Sequence, residues 1–61
     1  MKYKIFVNKE LVFAGDDIKE VLDIAEELTK NNKYYLFVDT QLDFKRAIID
    51  KIDFSELCDM Y

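Results

Sequence analysis

Five of the six carboxylates between residues 16 and 27 can share much of one side of a helix: Asp16, Asp17, Glu20, Asp23 and Glu27. Paired carboxylates on one side of a helix can hold Mg²⁺ or pass a proton, so a metal-dependent enzyme is one class of function to weigh. The plainer reading is the solvated back of an amphipathic helix, since Lys19 and Lys30 are interspersed among the acids, and it outweighs the catalytic one. The same acidic side could imitate nucleic-acid phosphates, but that needs a dense field of one sign, and a net charge of −4 with both signs mixed is thin. A second constellation is aromatic. Tyr34, Tyr35 and Phe37 beside Lys33 could stack unpaired bases, yet Lys4, Lys33, Lys45 and Arg46 are sparse for a phosphate track, so the three rings read as core or protein interface.

The remaining chemistry is limited by what the chain lacks. It has no histidine and one cysteine, Cys58, which removes the usual general base near neutral pH, a soft zinc ligand set and any intramolecular disulfide. Cys58 falls on an apolar stripe with no neighbouring cation, which suits a small buried hydrophobe better than a reactive thiolate. With no nucleophile and base pair, no metal cluster and no phosphate loop, a binding role outranks an enzyme, and no cofactor or metal is expected.

These residues need elements to hold them. Residues 2–14, KYKIFVNKELVFA, read as a β-hairpin about Asn8-Lys9. A two-residue turn puts Tyr3, Ile5, Val7, Val12 and Ala14 on one face and Phe6, Leu11 and Phe13 on the other; a three-residue loop instead gathers Ile5, Val7, Leu11 and Phe13. Gly15 turns the chain, and Asp17 with Glu20 has capping-box spacing before Ile18, Val21, Leu22, Ala25 and Leu28, the stripe of an amphipathic helix. Asn31-Asn32 stops it, and residues 33–38 form a third strand with large apolar groups on both faces. Thr40 then caps a helix whose stripe is Phe44, Ala47, Ile48 and Ile52; the competing reading is a fourth strand through Phe44 to Asp50. Asp53 and Glu56 repeat the capping-box spacing ahead of Phe54, Leu57, Cys58 and Tyr61. The expectation is an α+β domain over residues 1–61, a three-stranded antiparallel sheet of order 2-1-3 (ββαβ) with one helix on a face and a C-terminal helical segment. KYYLFVD, residues 33–39, becomes an apolar edge strand that asks for a cover or a partner.

Sixty-one residues suffice for one small core, and 51% hydrophobic content is too rich for a disordered tail. Met1 to Lys9 carries charges where a leader would be apolar, and no stretch approaches the roughly 20 residues of a membrane span, so a cytoplasmic protein with no membrane role is expected. The acidic total disfavours nucleic acid as a partner and favours a protein with a basic surface.

Residues 12–28, VFAGDDIKEVLDIAEEL, resemble a signature in a family of short prokaryotic domains of unknown function. In that family a hairpin ends in a small residue and Gly, a helix opens with Asp and carries an EVL triplet followed by Ala, and a strand comes next; the likeness covers about residues 3–38. The hairpin, the Gly15-Asp16 turn and the helix are also similar to HicB-type antitoxins, although the additional strand and the proline-glycine segment of that family are missing here. Neither resemblance implies catalytic residues. Taken with the residues, the expected function is a small acidic protein that occludes or sequesters another protein, as phage and mobile-element inhibitors of host or defence enzymes do, working as a homodimer. The alternative is an antitoxin or regulatory partner of a toxin encoded beside it. The expected contacts are Tyr34, Tyr35 and Phe37 as anchors, with Asp16, Glu20, Asp23 and Glu27 steering a basic partner.

Overall fold

Alternating apolar residues near the N-terminus pair as β1 (Tyr3–Val7) and β2 (Glu10–Gly15) in a computed structural model that describes residues Met1–Tyr61. Asn8 and Lys9 both take the left-handed conformation, φ 51° and 68°, as a two-residue hairpin turn with matching twist requires. Val7 therefore faces Glu10 and Phe6 faces Leu11, but a bulge follows and Ile5 pairs with Phe13. Val12 is the extra residue. Beyond it the side chains change sides, so Phe13 joins Ile5 against the core while Ala14 sits opposite Lys4; neither register expected from the sequence holds along the whole hairpin. A Cβ at Gly15 would lie 3.0 Å from the Phe13 ring, so the glycine gives that ring room to turn inward.

Helix α1 (Ile18–Lys30) begins where the Asp17 carboxylate accepts the Lys19 N–H at 2.9 Å. Its stripe buries Val21 and Ala25 fully and Ile18, Leu22 and Leu28 in part. It ends with Asn32 at φ 57°, Lys33 N–H donating to Leu28 C=O at 2.9 Å and Asn32 N–H to Thr29 C=O at 3.1 Å, which satisfies the last carbonyls and sends the chain back toward the sheet.

The second half overturns the three-stranded expectation. β3 (Tyr35–Asp39) is followed by another hairpin strand, β4 (Phe44–Ile48), so the sheet has four antiparallel strands in the order β2-β1-β3-β4. Thr40 caps no helix. Instead the Asp39 carboxylate accepts the N–H groups of Gln41 and Leu42 at 3.0 and 3.1 Å, and Asp43 adopts φ 50°, which reverses the chain in four residues. Residues 44–48 then alternate, with Phe44 and Ile48 packed against the core and Lys45 and Ala47 exposed, and pairing with β3 outweighs the helical preference of Lys, Arg and Ala. The expected stripe of Phe44, Ala47, Ile48 and Ile52 is split, and Ile52 is exposed. KYYLFVD is likewise no edge, because β3 lies between β1 and β4.

The last helix, α2 (Lys51–Asp59), starts earlier than Asp53. Asp50 accepts the Asp53 N–H at 2.9 Å, and the Asp53 carboxylate reaches back to the Ile49 N–H at 3.1 Å, an offset version of the capping box. Each half of the chain is thus a hairpin followed by a helix, joined where β1 and β3 pair antiparallel. Helix α1 packs on β1 and β2, α2 on β4, and the helices on each other, so both cover the same face of the sheet. Between the layers lie Ile5, Phe37 and Ile48 from the sheet and Val21, Ala25 and Leu57 from the helices, all buried. No helix is long and apolar enough to cross a membrane.

Two substitutions test this layout by chemical denaturation. Asp39→Ala, which leaves two turn N–H groups without their acceptor, is expected to lower stability by about 3 kcal/mol. Lys9→Gly, which relieves a left-handed lysine, is expected to raise it by about 0.5–1 kcal/mol; an unchanged midpoint for either would contradict the turn it addresses.

Candidate binding surface

Because strand side chains alternate, the sheet turns a second set of residues away from the helices. Leu11, Phe6, Leu36 and Ala47 are successive cross-strand neighbours, one from each strand, and make an apolar band across the whole sheet. The next row is Lys4, Val38 and Lys45. Val38 is only 8% exposed although no helix covers it, as expected of a side chain flanked by two long lysine stems. Tyr34 and Ile49 rise at the other end, and with Phe6, Leu36, Ala47 and the lysine row they line a shallow groove of about 640 Å³, which Leu11 lies outside. Its charged neighbours are Lys4, Lys9 and Lys45; no carboxylate lines it. None of the three lysines has an ion-pair partner within 4 Å.

The residues expected to make contacts are distributed differently from the expectation. Tyr34 is 70% exposed and borders the groove, but Tyr35 and Phe37 are 4% and 0% exposed beneath the helices, since consecutive strand residues cannot share a face. Both are expected from the sequence as partner anchors; in the folded chain they belong to the core. Phe37 stands with its ring centroid 5.9 to 6.4 Å from those of Tyr3, Phe44 and Tyr61. The Tyr35 hydroxyl lies 3.0 Å from the Ala25 carbonyl and 2.9 Å from the Thr29 hydroxyl. Asp16 accepts the Lys2 N–H at 2.8 Å and ties the end of the first hairpin to the start of β1. Glu20, Asp23 and Glu27 are exposed on α1, in the layer opposite the groove. The aromatics and the carboxylates are therefore not brought together, and no three carboxylates or cysteines stand close enough to hold a metal ion.

The titratable groups that are perturbed serve the fold. Burial pushes the Cys58 thiol up, with Asp59 and Glu26 adding to the effect, which is the reverse of an activated thiolate. Arg46 projects toward α2 and donates to Glu56 and Asp53; the Glu56 bond is the main cause of its raised pKa, while the Ile49 N–H and then Arg46 hold the Asp53 carboxyl down. Tyr61 donates its hydroxyl to Asp39 and is raised by burial first and by Asp39 second.

The sequence does not single out Phe6 and Leu36, or Lys4 and Lys45 as a pair beside them. The alternation that exposes them is present in KYKIFV and YYLFV, but which set faces outward depends on where the helices lie. Comparison with known protein families, curated proteins and solved structures returns no match to the chain.

The tyrosines supply a pH dependence with a definite sign. Tyr35, raised chiefly by burial, and Tyr61 both titrate above the ordinary tyrosine value of 10.0. Their folded-state values exceed the unfolded ones, so the stability they contribute is whole below about pH 10 and is lost as pH rises through the folded values. Denaturation midpoints are expected to fall above about pH 10, and Tyr61→Phe to soften that fall; an identical alkaline profile for the variant would contradict the role given to its hydroxyl.

Proposed function

We propose that the chain is a non-enzymatic interaction protein that covers and occludes part of another protein, with the open face of the sheet as its contact surface. One observation supports this reading above the rest: the apolar band Leu11–Phe6–Leu36–Ala47 spans all four strands with neither helix over it. Contiguous apolar surface of this kind is a feature of interaction sites. An occluding role suits a chain that presents one broad face, in the manner of small mobile-element proteins that block host or defence enzymes.

Partner chemistry is less favourable to a second copy of the chain than the sequence suggested. Two such faces packed together would bring the unpaired Lys4 and Lys45 of both copies into one interface with no carboxylate to answer them. The carboxylates of α1 point away from the groove and act here as a solvated surface.

Leu36→Asp tests the surface without touching the core, and Asp23→Asn on the far side of α1 serves as its control. Affinity capture with the wild-type chain and these two variants should give a protein retained by wild type and Asp23→Asn and lost with Leu36→Asp, while circular dichroism shows all three folded. Retention by a folded Leu36→Asp variant would remove the open face from the proposal.

A further inference from the structure

The open face is bordered by charge of one sign. Lys4 and Lys45 flank Val38 on neighbouring strands, Lys9 stands at the turn beside Asn8, and no aspartate or glutamate lines the groove although the chain as a whole is acidic, with 13 carboxylate residues against 9 basic ones. The acids are displaced to the other layer: Glu20, Asp23, Glu26 and Glu27 on α1 and Asp53, Glu56 and Asp59 on α2. A net charge of −4 therefore describes the back of the molecule and not the surface left open.

The covered face shows what can pack on this sheet. There, α1, with Glu20, Asp23 and Glu27 exposed on its outer side, lays an apolar stripe over the sheet, and α2 adds Leu57 above the same core of Ile5, Phe37 and Ile48. The open face offers a similar apolar floor and adds lysines that have no ion-pair partner. Its band crosses four strands, about 14 Å at the ordinary strand spacing, which three turns of helix would span.

We propose, resting on the interaction reading above, that the open face docks an acidic amphipathic helix of a partner protein, its apolar stripe on Phe6, Leu36 and Ala47 and its carboxylates against Lys4, Lys9 and Lys45. The complex is a three-layer α/β/α arrangement in which the partner supplies the missing layer. Phe6 and Tyr34 among lysines would also suit unpaired bases, but three cations are few for a phosphate backbone.

Titration calorimetry with three probes separates these occupants: a synthetic amphipathic helix of Leu, Ala and Glu, its counterpart with Lys in place of Glu, and an oligo-dT strand. Binding of the Glu peptide, weakened by salt, reduced about tenfold by Lys4→Glu with Lys45→Glu and abolished by Leu36→Asp, is the expected result. Preference for the Lys peptide, binding of oligo-dT in its place, no binding of the Glu peptide, or a dimer by light scattering with the face closed would overturn it. Loss through Leu36→Asp without loss through the lysine reversals would keep the interaction reading and reject the acidic partner. Binding indifferent to Leu36→Asp would reject the interaction reading itself.

Discussion

The carboxylate of Asp39 is 2% exposed, accepts the Gln41 and Leu42 N–H groups that start a chain reversal, and receives the hydroxyl of Tyr61 from the end of the chain. A buried carboxylate is tolerable only when donors surround it, and here the donors are the turn and the C-terminal aromatic. Their engagement makes residues 44–48 a strand, and the added strand moves β3 from the rim of the sheet to its interior. Tyr61, held at that carboxylate, places its ring against Tyr3 and Phe37. One polar residue thus links the second hairpin, the centre of the core and the end of the chain.

From that reversal follows the asymmetry of the molecule. A chain of hairpin, helix, hairpin, helix in which β1 and β3 pair at the centre brings both helices to one side, where Arg46 joined to Asp53 and Glu56 and the Tyr35–Thr29–Ala25 contacts fasten them. Neither helix covers the other side. An apolar surface with lysines beside it is left there, and the proposed partner is placed on it. Net acidity, read from composition alone, points to a basic partner; on the open face itself the charged groups are lysines, which is why the partner proposed for that face is an acidic one.

Local chemistry makes part of this fold legible in the sequence. The Asn8-Lys9 turn, the Asp17 cap, the stripe of α1 and the Asn31-Asn32 stop are all set by neighbours within a few residues. Where a tertiary partner decides, the residues alone mislead. Gln41 to Ala47 reads as helix because its residues favour helix, and only the burial of Asp39 and pairing along β3 convert it to a turn and a strand. The bulge at Val12 is similar, since a single inserted residue exchanges Phe13 for Val12 on the core face and leaves no mark in the hydrophobic pattern. Tyr34, Tyr35 and Phe37 stand out in the sequence as large apolar groups of one segment, but alternation assigns Tyr34 to the surface and the other two to the core, and which side the helices occupy is a property of the whole chain.

The openness of the second face can be measured directly on the isolated protein by methyl NMR with a soluble paramagnetic chelate. Leu36, Leu11 and Ala47 methyl signals are expected to relax strongly while those of Ile5, Val21, Ile48 and Leu57 stay protected. Protection of Leu36 and Ala47 equal to that of Ile5 would mean that the face is already covered, and would contradict the proposal that a partner supplies a third layer.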